Sequence, residues 1–250
     1  MKKAWNVIVS EIKTSDAVLE VIDARCPNET RSIKLENLIE KMNKPFWIVI
    51  NKTDLVPKSF AEKVKKFLKE NTKAVDVVFF SAKTFYGYNI LRRSLKEYFK
   101  DKEVKLTVIG FPNVGKSSLI NAFAKKSKAS VAPKPGHTKG KQWIKVSSKI
   151  KISDTPGVLP KEMLAEEWRE ILFSDDKEYA CYLLLEKIKN AEGTNFSMLY
   201  GIEPKVNEHV LEEIAKKFNF VKKGKELDLI RAAEKILNDW NTGKLTAWWL

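Results

Sequence analysis

Apolar residues recur along this chain with two different periods, and the switches between them mark out its elements. Residues 2–14 space Trp5, Ile8, Val9 and Ile12 as on one face of a helix, so a short amphipathic helix opens the chain. Ala17-Val18-Leu19-Glu20-Val21-Ile22 is then a compact apolar run ending at Asp23, with the length and composition of a buried parallel strand. A helix over about 33–43 leads to a strand from Pro45 to Ile50. Phe60, Val64, Phe67 and Leu68 mark the next helix, and Val75 to Phe80 the next strand. Residues 88–100 set Ile90, Leu91, Leu95, Tyr98 and Phe99 on one side of a helix, followed by a strand from Val104 to Ile109 and a helix from about Lys116 to Lys125. Gln142 to Val146 and Lys149 to Ser153 alternate apolar with polar and predict a strand pair near a sheet edge. Strands alternating with helices predict a mainly parallel sheet with helices on both faces. Beyond Pro160 only helical spacing remains: Leu183, Leu184 and Ile188, then Val210, Leu211, Ile214 and Phe218, then Leu227 through Trp240. The expected organisation is an α/β domain over residues 1–160 and an all-helical domain over 161–250.

Composition narrows the class. With 250 residues and 44% hydrophobic content the chain builds a core, which excludes disordered and fibrous proteins. Charged residues interrupt every apolar run, so no transmembrane helix and no membrane partner are expected. The first apolar stretch ends after Val9 with no small-residue cleavage site behind it, which predicts a cytoplasmic protein. Cys26 and Cys181 match no metal spacing, and two lone thiols suit a reducing compartment. The net charge of +14 is unevenly spread. Residues 51–159 hold 24 basic and 8 acidic side chains, whereas residues 160–250 hold 14 and 17. Such a middle suits a polyanionic partner, most simply nucleic acid, a solubilising surface being the alternative.

Two loops carry specific chemistry. Gly110-Phe111-Pro112-Asn113-Val114-Gly115-Lys116-Ser117 fits the phosphate-loop pattern G-x-x-x-x-G-K-S/T, between a predicted strand and a predicted helix as that pattern requires. Its glycines let backbone N–H groups wrap phosphates, and the helix N-terminus adds its dipole. Lys116 is expected to reach the β- and γ-phosphates and the Ser117 hydroxyl to ligand Mg²⁺, with Ser118 beside them. Asn51-Lys52-Thr53-Asp54 selects the base. A carboxylate at Asp54 accepts from both the ring N1–H and the exocyclic amine of guanine, a donor pair adenine lacks. Asn51 and the Lys52 stem would tie this loop to the phosphate loop and cover the base. An exposed turn carries the same letters, but a buried strand before it and a second strand ending at Ser81-Ala82-Lys83 favour the guanine reading, with the Ala82 N–H facing the guanine oxygen. Asp154-Thr155-Pro156-Gly157 ends another strand, setting Asp154 near Mg²⁺ and the Gly157 N–H near the γ-phosphate. GTP or GDP with Mg²⁺ is the expected ligand set.

These pieces resemble the G motifs of the translation-factor class of GTPases, in an unusual order. Ordinary members begin with the phosphate loop and carry N-K-x-D near the end; here the order is NKTD, SAK, GFPNVGKS, Thr138, DTPG. That is a circular permutation, joined through Asp101-Lys102-Glu103, which neighbouring domain termini permit. The order is similar to that of the circularly permuted GTPases of the YlqF/RbgA and YawG group. Asp23-Ala24-Arg25 resembles the group's D-A-R signature, and Asp228, Arg231, Ala232, Ala233, Asp239-Trp240 and Gly243-Lys244-Leu245 resemble its C-terminal helical domain. The resemblance implies a P-loop GTPase, here acting as a monomer, that binds the large ribosomal subunit or its rRNA when GTP-loaded and assists late assembly.

The same resemblance bears on catalysis. After the D-x-x-G glycine stands Val158, which cannot polarise water as a glutamine does there, and the resemblance implies a class with a hydrophobic residue at that position. It also implies that Asn113 holds a K⁺ ion near the phosphates, where a fixed cation neutralises developing charge; shaping the loop is the plainer role. Thr138 is the candidate second hydroxyl on Mg²⁺, with Thr155 also near, and His137 is either a contact to the attacking water or a surface side chain. Lys116, Thr138, Gly157 and Asn113 form the expected catalytic set, slow alone and stimulated by K⁺ and the ribosomal partner. Residues 125–151 hold nine lysines and no Asp or Glu around Thr138, so a segment ordered by GTP is expected to present lysines to RNA phosphates. Trp143 stacks on a base or packs in the core, and Trp248 and Trp249 are expected to cap the helical core. A protein effector in place of RNA, or a GTP-dependent scaffold with negligible turnover, are the competing functions.

Overall fold

The structure, a computed structural model, describes residues 2–100, 102–128, 143–145, 149–153, 157–204, 206–207 and 209–250. The chain divides into two compact units, Met1–Met163 and Leu164–Leu250. The first runs α1 (Lys2–Thr14), β1 (Ala17–Asp23), α2 (Pro27–Thr30), α3 (Ile33–Lys41), β2 (Phe46–Asn51), α4 (Lys58–Glu70), β3 (Asp76–Phe79), α5 (Tyr88–Tyr98), β4 (Val104–Gly110), α6 (Lys116–Lys128), β5 (Trp143–Lys145), β6 (Ile150–Ser153) and β7 (Gly157–Val158). The strands form one sheet in the order β3-β2-β1-β4-β6-β5, with β7 beside the end of β4. Every pairing is parallel except β5 with β6, the edge pair the alternating pattern predicts.

β1 is buried along its whole length, as its unbroken apolar run requires of a strand paired on both sides. Neighbouring side chains show that both faces are covered: Lys65 of α4 lies over the Phe79 ring, while Phe80 stacks on Phe123 of α6. On that second face the Trp47 indole N–H donates to Ser94 Oγ of α5 at 2.9 Å. α2 has only four residues, too few for periodicity to reveal; Pro27 in its first turn fixes a helical φ there.

The second unit runs α7 (Glu166–Phe173), α8 (Lys177–Lys189), α9 (Phe196–Tyr200), α10 (His209–Lys217) and α11 (Leu229–Thr242). Leu184, Leu185, Ile188, Phe196, Leu211, Ile214 and Ile236 fill its core. Trp249 stacks on Trp240 at 5.5 Å and meets Trp168 edge-on, and Trp248 pairs with Glu192, so the terminal tryptophans pack onto this core. The buried Tyr200 hydroxyl donates to Asp239 Oδ2 at 2.8 Å, which answers its polar atom inside an apolar environment. Two isolated bridges, Glu192 to Trp248 and Val221 to Leu227, add short extended pairings to a unit whose spacing predicts helices alone. Among the described residues no helix is long and apolar enough to cross a membrane.

Candidate functional site

The sheet topology sets where a ligand can bind. The chain leaves β1 toward β2 but leaves β4 toward β6, so the boundary between β1 and β4 is the switch point at which open α/β sheets hold ligands beyond their strand C-termini. Asp23 ends β1, Asn51 ends β2, Ser81-Ala82-Lys83 follows β3, and Gly110 ends β4. Gly157 pairs with Ile109, and the Leu159 N–H donates to the Gly110 carbonyl at 3.1 Å, so the segment after residue 156 is fastened to the root of the phosphate loop.

Asn51 joins three loops. Its Nδ2 donates to the Val114 carbonyl at 2.8 Å, and its Oδ1 accepts the Ala82 N–H at 3.3 Å. The Ala82 N–H expected to meet a guanine oxygen is thus turned onto Asn51. Gly115 lies at φ +97°, and a Cβ there would stand 2.1 Å from Asn51 Nδ2, so only glycine lets the phosphate loop come this close. Thr53 is fixed through its hydroxyl, which donates to the Phe80 carbonyl at 2.9 Å. Asp54 follows it, exposed, on the short 3-10 turn Thr53–Leu55. Ser81 is buried and its Oγ accepts the Thr84 N–H, whereas Lys83 is exposed.

In the phosphate loop Val114 and Lys116 are buried, Pro112 is half-buried, and Asn113, Ser117 and Ser118 are exposed. Asn113 takes a left-handed φ of 63°. The Lys116 ammonium donates to the Phe111 carbonyl of its own loop, and burial pulls it down to about 8. A Cβ on Gly110 would stand 2.5 Å from the Val21 carbonyl, so the end of β4 leaves no room for a side chain here. Thr138, Asp154, Thr155 and His137 lie outside the described residues.

Three features escape sequence reasoning. Asp23 and Arg25, legible only as a signature, form a buried ion pair at 2.8 Å, and Lys52 Nζ joins Asp23 at 2.8 Å. Burial alone would raise the Asp23 carboxyl, but the charges of Arg25 and Lys52 outweigh it and hold the group well below the usual range. Gly87, at φ +80°, would bring a Cβ within 1.8 Å of the Phe79 carbonyl; a glycine between S-A-K and a predicted helix is the signal that could have found it. Glu20, hidden in an apolar run, is fully buried on β1, where its Oε1 accepts the Ser32 N–H at 2.8 Å.

A sheet of this order with a G-x-x-x-x-G-K-S loop after β4 and N-K-x-D after β2 defines a P-loop GTPase domain whose motifs are circularly permuted. Comparison with known proteins agrees. Residues 105–216 match the family described as 50S ribosome-binding GTPase. The uncharacterized GTP-binding protein MJ1464 of Methanocaldococcus jannaschii is 38% identical, over 98% of this chain and 66% of that protein. Nucleolar GTP-binding protein 2 of Neurospora crassa is 33% identical over 98% of this chain and 41% of its own length, so the present chain spans less than half of that relative. GNP-bound YlqF from T. maritima superposes with a TM-score of 0.66 and 25% identity, covering 98% of this chain and 97% of YlqF. A GDP-bound YlqF structure gives a TM-score of 0.71. The chain belongs to the circularly permuted GTPases of the YlqF type.

Proposed function

We propose that this protein binds GTP and GDP with Mg²⁺, hydrolyses GTP slowly, and couples its nucleotide state to binding of the large ribosomal subunit or its rRNA during late assembly. The observation that carries the reading is the convergence on Asn51, which draws the phosphate loop, the N-K-x-D loop and the S-A-K loop to one point above the sheet. Relatives described as 50S ribosome-binding and nucleolar support the ribosomal partner. The exposed cations Arg93 and Lys96 of α5 and Lys100 just beyond it, with Lys58, Lys63 and Lys66 of α4, suit contact with RNA phosphates.

Within this reading Asp54 reads guanine, the Lys52 stem covers it, and Thr53, Ser81, Ala82 and Lys83 shape the base side. The N–H groups from Asn113 to Ser118, after Pro112, cradle the phosphates, where the glycine at 115 spares a clash with Asn51. On binding nucleotide Lys116 exchanges the Phe111 carbonyl for phosphate oxygens. Ser117, Thr138 and Asp154 would hold Mg²⁺, Asn113 a K⁺ ion, and Gly157 would offer its N–H to the γ-phosphate. These cations supply charge neutralisation as the phosphoryl group departs. A monomer working in the cytoplasm completes the proposal.

Steady-state GTP hydrolysis in KCl and in NaCl, each with and without purified large ribosomal subunits, tests it. Stimulation by subunits, larger in KCl, is expected. Equal rates in all four conditions would overturn both the ribosomal partner and the role of Asn113. No single-turnover hydrolysis at all would leave a GTP-dependent scaffold.

A further inference from the structure

The ion cluster at the end of β1 lies beneath the loop read above as the guanine-binding element, and its geometry carries more than cohesion. Asp23 closes β1 with its backbone fixed: its N–H donates to Thr30 Oγ1 at 3.0 Å, and the Ala24 N–H donates to the Asn51 carbonyl at 2.9 Å. A carboxylate offers about four acceptor positions, and here all four are used. Oδ1 accepts the Arg25 backbone N–H at 3.0 Å and Arg25 Nε at 3.1 Å, while Oδ2 accepts Arg25 Nη2 at 2.8 Å and Lys52 Nζ at 2.8 Å. Arg25 therefore occupies three of the four and leaves one direction for the lysine. The fork of the guanidinium sets that direction, because two parallel bonds fix the plane of the carboxylate where a single ammonium would let it turn.

What this holds in place is an uncommon conformation. Lys52 sits at φ 61°, ψ 29°, the left-handed region that few non-glycine residues occupy. Asp54 follows two residues later; burial disfavours the charged Arg25, the Asp23 carboxylate outweighs it, and the Asp54 charge adds least in the same direction. Arg25 itself is 1% exposed, with its guanidinium turned onto Asp23.

We propose that Arg25 is a positioning residue for guanine recognition: by orienting Asp23 it fixes Lys52 in its left-handed turn, and thereby sets the Asp54 carboxylate at the angle that pairs with the guanine edge. The proposal rests on the guanine reading of the loop. Its signature is in base discrimination rather than in affinity at large. Hypoxanthine keeps the ring N1–H of guanine and lacks the exocyclic amine, so the affinity ratio of GDP to inosine diphosphate reports how well Asp54 is placed. A side chain that merely holds the fold together lowers both affinities alike.

Binding of GDP, inosine diphosphate and ADP to the full chain, by calorimetry at neutral pH, tests this. Arg25→Gln is expected to weaken GDP at least tenfold and inosine diphosphate no more than threefold. Arg25→Lys keeps the charge but not the fork, and is expected to lower the GDP preference about threefold; it carries the test if Arg25→Gln does not fold. In a Lys52→Ala background, adding Arg25→Gln should cost GDP less than twofold, since the element through which Arg25 acts is gone. A wild-type preference ratio in Arg25→Lys, equal losses for both nucleotides in Arg25→Gln, or losses that multiply in the double variant would each overturn it. A wild-type protein that binds ADP as well as GDP would overturn the guanine reading itself, and this inference with it.

Discussion

The middle of β1 and its C-terminal end each bury a carboxylate, and the two are driven in opposite directions. Glu20 faces the Ser32 N–H with Glu36 nearby, and burial followed by the Glu36 charge pushes it up to about 8. Asp23, three residues on, shares its oxygens with Arg25 and Lys52 and stays ionised. Same strand, same burial, and the neighbours decide. Arg31, whose charge opposes the rise at Glu20, is already engaged by Glu36, which also accepts the Thr72 hydroxyl at 2.8 Å. A buried charge persists only where cations are devoted to it, and this strand devotes them to its functional end.

The strongest way to break that contrast is to remove the charge that is held. Asp23→Asn leaves Arg25 and Lys52 facing a neutral amide, and a loss of about 3–5 kcal/mol is expected in urea denaturation, the usual cost of orphaning a buried ionic partner. The contrast sharpens under titration of the other carboxylate. Because the Glu20 pKa is raised on folding, the native state binds the extra proton between about pH 4.5 and about 8. Stability from this group is therefore complete below that window and is lost as pH rises through it, by up to ~1.4 kcal/mol per pH unit. Glu20→Gln removes this slope, so denaturation midpoints of the two proteins measured from pH 5 to pH 8 should diverge steadily; parallel curves would show that Glu20 is ionised in the native state. The smallest effect concerns the residue that links Glu20 to α3. Ser32 caps that helix by accepting the Leu35 N–H at 3.2 Å, and Ser32→Ala should cost about 1 kcal/mol while leaving the pH slope intact, since its backbone N–H still meets Glu20.

Much of this was legible in the sequence, for physical reasons that also explain what was not. The buried strands were readable because a parallel strand covered on both faces has to be apolar throughout, as Phe46 to Ile50 is. The phosphate loop was readable because its glycines answer a steric demand, seen at Gly115 against Asn51. Glu20 was passed over since periodicity averages over neighbours and cannot see one charged residue answered across the chain by Ser32. Asp23 and Arg25 were visible as letters, but that the arginine folds inward onto Asp23, and that Lys52 of another loop joins the pair, is written in the packing and not in the spacing. Trp143 was left between base stacking and core packing; in the structure it is half-buried with Lys105 over its ring. The extended pairings around Val221 and Trp248 were missed because single bridges impose no alternation.

The pairing of β1 with β4 joins Ala17 to Leu106, whereas β1 reaches β2 within about thirty residues. During synthesis the first three strands and the helices between them emerge as a set well before the phosphate strand. Until Val104–Gly110 leaves the exit tunnel, one whole edge of β1 has no hydrogen-bonding neighbour. An apolar strand with an open edge is a surface prone to pair with another chain, so the nascent protein is vulnerable while the half that carries N-K-x-D is complete and its phosphate strand is still unborn. Arrival of β4 then does two things in one stroke: it covers the open edge of β1 and it brings in the phosphate loop.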